Sequence, residues 1–239
     1  GYAFDAEEVL SLITRKTRLL ILNTPSNPTG GAVPQSEIEK LVNGLEAPPH
    51  VCILSDEIYS RIVYDGNKHI SLLKYKHLHN RLIILDGWSK TYAMTGWRIG
   101  YGIWPKHLIK IATRLAINYH SCVNSASQFA AIAALKGPQN SVTEMVASFA
   151  NRRKIIVAAL NDISGVRCPE PDGAFYVFPN IEKTGHSSLD FQELCLTKAG
   201  VAVISGTSFG KFGEGFVRFS YANSTQNIIK AIKRIKSHI

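Results

Sequence analysis

Five polar side chains in the first hundred residues follow closely on apolar runs. Asn27 lies in Asn23-Thr-Pro-Ser-Asn-Pro-Thr-Gly30, after Arg18-Leu-Leu-Ile-Leu-Asn23. Asp56 and Tyr59 lie in Ser55-Asp-Glu-Ile-Tyr59, after Val51-Cys-Ile-Leu-Ser55. Lys90 closes Gly87-Trp-Ser-Lys90, after Arg81-Leu-Ile-Ile-Leu-Asp86, and Arg98 stands eight residues further on. A lysine amine can condense with a carbonyl. A carboxylate holds a cation, a phenol or an amide hydrogen-bonds an oxyanion, and an arginine fork grips a phosphate or a carboxylate. Singly, each segment has a plainer reading. Asn-Pro-Thr-Gly is turn chemistry, Asp-Glu after a strand is a common helix cap, a lysine is usually solvated, and an arginine often just pairs with a carboxylate. Their order, and their repeated position at the end of an apolar run, make a shared site the expectation.

The elements that must position them alternate. Asp5-Ala6-Glu7-Glu8 reads as a helix start, with Val9, Leu12 and Ile13 on one face. The three apolar runs read as buried strands, the first of them buried on both faces. Pro34 to Leu45 reads as a helix with Gly44 near its end. Such alternation predicts an α/β fold with a mostly parallel sheet covered by helices. Ligands bind such sheets beyond the carboxyl ends of the strands, so parallel neighbours would gather an amide, a carboxylate, a phenol, a lysine and an arginine. From Lys106 to Leu135 helical patterns dominate, and Gly137-Pro138 interrupts them. Val142, Met145, Val146 and Phe149 then share the face of a helix that can reach Leu160. Segments 174–178, 201–204 and 216–220 read as short strands, and a terminal helix starts near Ser224. Residues 1–150 are expected to form a large domain and residues 151–239 a smaller α+β domain. No internal repeat or low-complexity segment is evident.

Hydrophobic residues make up 45% of the 239, and charged ones 19%, an ordinary globular balance. No run approaches the roughly 20 apolar residues that span a bilayer, and the N-terminal residues do not resemble a signal peptide. The formal net charge is +9, but the cations are scattered. Lys230, Lys233, Arg234 and Lys236 lie opposite Ile228, Ile232 and Ile235 on one helix, as a solvated face does, so neither nucleic acid nor membrane is an expected partner. Cys52, Cys122, Cys168 and Cys195 show no metal-ligand or paired spacing. Neither a metal nor a disulfide is expected, and a reducing cytoplasm fits.

The five residues fit the needs of an enzyme that uses pyridoxal 5′-phosphate (PLP). Such an enzyme takes a lysine for the Schiff base, a carboxylate against the pyridinium nitrogen, donors near the ring phenolate, and cations around the phosphate. Here the sequence resembles the class I/II aminotransferases of PLP fold type I. Gly87-Trp-Ser-Lys-Thr-Tyr-Ala-Met-Thr-Gly-Trp-Arg-Ile-Gly100 is similar throughout to the family's cofactor-attachment segment. Asn23 to Gly30, Ser55 to Tyr59, and Phe216-Val-Arg-Phe-Ser-Tyr-Ala222 match three further segments in order.

By this resemblance Lys90 is the Schiff-base lysine, whose freed amine shuttles a proton between the substrate Cα and the cofactor. Asp56 pairs with the pyridine nitrogen, and Tyr59 and Asn27 hydrogen-bond the phenolate oxygen. Arg98 binds the phosphate, and Ser89 can add a hydroxyl to it; some members carry a serine where this chain has Gly87. Arg218, with Asn27, binds the substrate α-carboxylate, although a residue in a strand pattern could equally be an outward-facing charge. Pro171-Asp-Gly-Ala-Phe-Tyr176 resembles a loop that closes over the substrate, and Cys122 to Gln128 a segment near the partner's cofactor in a homodimer. The implied reaction moves an amino group between an L-amino acid and a 2-oxo acid. A PLP-dependent lyase of the same fold, or the effector domain of an aminotransferase-like transcription regulator, is the alternative. The family's pattern begins well before Gly1, with a phosphate loop and a ring-stacking aromatic residue. The chain therefore reads as the C-terminal portion of such an enzyme, with an exposed sheet edge, and is expected neither to fold well nor to transaminate alone.

Overall fold

Parallel hydrogen bonding of the three apolar runs builds the first of two units in the computed structural model, which describes residues 2–239. This unit comprises residues 3–25 and 32–143. Strands β1 (Leu19–Asn23), β2 (Cys52–Asp56) and β3 (Leu82–Gly87) lie side by side in that order. Asn23 pairs with Asp56, and Asp56 with Leu85, so the three carboxyl ends reach one edge of the sheet. A fourth strand, β4 (Gly100–Ile103), runs antiparallel to β3. The sequence reading did not include it, because Gly100 and Gly102 weaken a strand signal.

Helix α1 (Ala6–Ser11) starts where the Asp5 side chain accepts the Glu8 N–H. Helix α2 (Gln35–Gly44) buries Ile38, Leu41 and Val42, spaced three and one apart on one face. Both helices pack with Leu22, Ile53, Leu82 and Ile84 of the strands into one core. Only one face of β1 is covered in this way. Leu19 and Ile21 remain 45% and 63% exposed on the other, so β1 is not buried on both faces as its continuous apolar run suggested. An edge strand alternates its environment with period two, whatever its composition. The helical stretch after Lys106 is two helices, α4 (Lys106–His120) and α5 (Ser125–Lys136), while α3 (Trp88–Thr91) is a single turn directly after β3. Ser121 takes φ 60° between α4 and α5, and Asn124 caps α5 by accepting the Ser127 N–H.

The second unit comprises residues 26–31 and 144–239, with Tyr2. All but the first turn of α6 (Asn140–Asn161) belongs to it. Its antiparallel sheet has the order β5 (Tyr176–Val177), β7 (Val217–Ser220), β6 (Ile204–Ser205). Helices α7 (Ser188–Thr197) and α8 (Thr225–Lys236) bury Phe191 and Cys195, and Ile228, Ile232 and Ile235. The cations of α8 are exposed, and three of them stand in its last turn, where the helix dipole favours positive charge. Among the described residues no helix is long and apolar enough to cross a membrane.

Leu41 lies fully buried in the first unit's core. Leu41→Ala is expected to cost about 2–5 kcal/mol, whereas Leu12→Ala, at a site 72% exposed, should change stability by less than about 0.5 kcal/mol. Denaturant titration of the two variants checks the difference.

Candidate active site

The end of β2 places two adjacent carboxylates in opposite electrostatic situations. Asp56 is half-buried, and burial pushes its carboxyl above the usual carboxylate range. The Ile58 N–H, 3.2 Å from Oδ1, pulls the other way, and the charge of Glu57 adds to the rise. Asn23 Nδ2 donates to the Asp56 carbonyl at 3.3 Å and ties the ends of β1 and β2 together. Glu57 is buried, which opposes its charge, yet donors hold it below the usual range. Ser55 Oγ donates to it at 3.0 Å and the Leu72 N–H at 3.2 Å, and His69 Nε2 lies 3.0 Å from Oε2. These contacts anchor the turn that carries Tyr59, which is only 3% exposed.

At the neighbouring strand end, α3 carries Ser89 and Lys90, both half-buried. The turn is held from both sides. Asp86 Oδ1 accepts the Gly87 N–H at 2.6 Å, and Trp88 Nε1 donates to the Ala131 carbonyl at 3.1 Å. Trp88 and Met94 pack on Ala131 of α5. Lys90 Nζ stands 5.8 Å from the centre of the Tyr59 ring, so the predicted amine and phenol do meet. Arg98 follows the turn Thr95–Trp97 in a left-handed conformation, φ 53°; it is exposed, and its Nη1 donates to the Thr95 carbonyl at 3.0 Å.

Asp86 is a group that the sequence reading passed over. Burial raises its carboxyl too, against donors from Gly87, Tyr101 and Ser60. It lines a cavity with Arg61, Trp88, Tyr92, Tyr101 and Leu135. Its signal was its place as the last polar residue of the third apolar run, one step before the attachment-like segment.

The second unit holds the other two predicted residues. Arg218 Nη1 donates to Asn27 Oδ1 at 2.8 Å, a contact between residues 191 apart in the chain. The guanidinium lies 4.7 Å from the Tyr176 ring centre and 5.1 Å from that of Phe209. Its Nε is buried without a partner. Arg218 is thus a stacked, partly desolvated fork rather than an outward-facing charge. Asn27 is exposed and belongs to the loop of residues 26–31, where Gly30 takes φ 71°. A Cβ at Gly30 would meet the Pro171 Cβ at 2.5 Å and the Tyr176 carbonyl oxygen at 2.6 Å, so glycine is required there.

In the first unit, then, an amine, a phenol, a desolvated carboxylate and an arginine suit a cofactor with a carbonyl, a basic ring nitrogen and a phosphate. No group of three or more histidine, cysteine or acidic side chains among the described residues could hold a metal ion.

A family model described as aminotransferase class I and II matches residues 1–235. An aspartate aminotransferase of Pyrococcus horikoshii is 42% identical over 97% of the chain and 59% of its own length. The aromatic-amino-acid aminotransferase 2 of Thermococcus litoralis is 37% identical over 98% of the chain and 60% of its own length. Among solved structures, the aspartate aminotransferase of Rhizobium meliloti superposes with a TM-score of 0.93 at 38% identity, covering 100% of this chain and 62% of that one. The aspartate aminotransferase of Thermus thermophilus with maleate superposes with a TM-score of 0.88 at 33% identity, covering 99% and 61%. The chain therefore spans about 60% of the length of the relatives it matches.

The two adjacent carboxylates should respond to pH with opposite signs. Asp56 has a folded pKa above its unfolded value, so its stabilisation is lost as pH rises above about 4. Asp56→Asn should raise the melting temperature of cofactor-free protein at pH 7, the gain vanishing near pH 4. Glu57 has a folded pKa below its unfolded value, so its contribution is present at pH 7 and lost as pH falls below about 4. Glu57→Gln should melt lower at pH 7. Melting curves between pH 3.5 and 7.5 check both signs.

Proposed function

We propose a function from one premise: the chain belongs to the class I and II aminotransferase family. It carries the attachment lysine, ring partners and carboxylate clamp of a PLP-dependent enzyme that transfers an amino group from an L-amino acid to a 2-oxo acid. The observation that carries this reading is the position of Lys90 against Tyr59, on the turns that follow the adjacent parallel strands β3 and β2. When bound, the cofactor supplies an aldehyde that takes the substrate amine and a ring that draws electrons from the substrate Cα.

The chain's own residues bind, orient and move protons around that chemistry. Lys90 would hold the cofactor by its amine and, when that amine is free, would move the proton at the substrate Cα. Asp56 would accept the ring N–H. The burial that raises its pKa in the cofactor-free chain is a cost that a neighbouring cation relieves, so carboxylate and protonated ring favour each other. Tyr59 would donate to the ring oxygen, a partner that the family resemblance gives to Asn27 as well. Arg98 would hold the phosphate as a cation, and Ser89 would add a hydroxyl. Arg218 takes the substrate α-carboxylate by its fork, with Asn27 fixing the fork's plane. The reading includes a cytoplasmic homodimer. The four cysteines carry free thiols, which suits a reducing compartment, and the exposed Ile111, Leu115 and Phe129 of α4 and α5 suit a partner.

Two variants of the full-length protein test the reading. Lys90→Ala should slow transamination by roughly 10²–10⁴-fold from the lost proton transfer alone. Arg218→Lys should raise KM for the amino acid and the 2-oxo acid together, since both present the same carboxylate. Parent-like turnover in the first, or an unchanged KM in the second, would overturn the corresponding role.

A further inference from the structure

Arg153 of α6 is the most buried charged side chain among the described residues, 1% exposed. A buried guanidinium costs several kcal/mol unless it is paired and hydrogen-bonded. One ion-pair contact is to Glu170, 50% exposed on its side chain and 3.2 Å from Nη2. The better-placed contact is to backbone. Nη1 donates at 2.9 Å to the carbonyl of Pro171, which is itself buried. One turn earlier on α6, Phe149 stacks on Phe175 with ring centres 5.3 Å apart. Tyr221 Oη donates to the Ala174 carbonyl at 3.2 Å, and Ala174 takes φ 56°. The bend of residues 171–175 is thus held on several sides.

What that bend holds in turn is the Asn27 loop. The Gly173 N–H donates to the Gly30 carbonyl at 2.8 Å, and the Pro171 Cβ fills the space where a Gly30 side chain would stand. Three residues before Gly30, Asn27 accepts from Arg218, whose guanidinium lies over the ring of Tyr176 at the other end of the bend. We propose that Arg153 is a positioning residue for carboxylate binding. By fixing the Pro171 carbonyl it sets the bend, the bend seats Gly30, and the seated loop presents Asn27 to Arg218 in the plane that a carboxylate needs. The inference rests on the carboxylate-binding role proposed for Arg218.

The test is titration of full-length, cofactor-loaded protein with maleate, a dicarboxylate with no amino or keto group to react. Arg153→Met keeps the bulk and removes the donors. It should weaken maleate binding about tenfold in the parent background and have no further effect in Asn27→Ala, because coupled residues do not add. Arg153→Lys, with one donor, should restore part of the loss. Tyr221→Phe, which leaves the buried charge in place and loosens the same bend, should weaken binding about two- to fivefold if Arg153→Met fails to fold. Equal losses in the parent and Asn27→Ala backgrounds would mean a merely structural role and overturn the inference. Parent-like affinity in Arg153→Met, or in Tyr221→Phe, alongside lost affinity in Arg218→Lys would overturn it and leave the Arg218 role standing. Parent-like affinity in Arg218→Lys would instead overturn the reading beneath it.

Discussion

Asn23 pairs with Asp56, and Asp56 with Leu85, in two parallel ladders that bring three strands to the same edge of one sheet. Everything proposed for the cofactor depends on that register. Strand side chains alternate faces, so a slip of one residue would turn Asp56 away from its present face and bring Glu57 into its place. The two are not interchangeable. Glu57 is satisfied by Ser55, Leu72 and His69, and is held ionised as a structural anchor. Asp56 is desolvated with a single backbone donor to its side chain, and is suited to a cation that arrives with a ligand. Adjacent acids in one turn thus divide the work of stability and chemistry.

The same division runs through the arginines of the second unit. Arg153 is buried and spends a donor on a carbonyl of its own chain. Arg218 keeps its fork between two aromatic rings and one amide, with an Nε that no partner satisfies. A buried donor left unpaired is costly, and such costs gather where a ligand is to be met. Burial costs stability at Asp56 and at Arg218, whereas the donors around Glu57 hold the turn beside Asp56 in place.

Much of this was legible in the residues. The three parallel strands, the helix after the first, the helix from Asn140, and the basic face of α8 all follow from periodicity and turn chemistry. The family segments pointed to Lys90, Asp56 and Tyr59 as candidates, and the structure brings Lys90 and Tyr59 within 5.8 Å of each other, amine to ring centre. What the residues did not disclose is contact over long range. Asn27 meets Arg218 across 191 positions, and the loop of residues 26–31 folds with the C-terminal unit although strand residues flank it on the N-terminal side. No local pattern encodes that. β4 was hidden by its glycines, and Leu19 and Ile21 looked buried because an apolar run carries no mark of which face goes uncovered. Arg153 is one of many scattered cations in the sequence, and Asp86 the end of a strand-like run.

Lys90, and no other lysine, is the residue proposed to hold the cofactor. Borohydride reduction of the full-length protein loaded with pyridoxal 5′-phosphate, followed by proteolysis and mass spectrometry of the peptides, tests it directly. A single reduced adduct is expected on the peptide that contains Gly87 to Arg98, at Lys90. An adduct on a different lysine, with Lys90 unmodified, would contradict it.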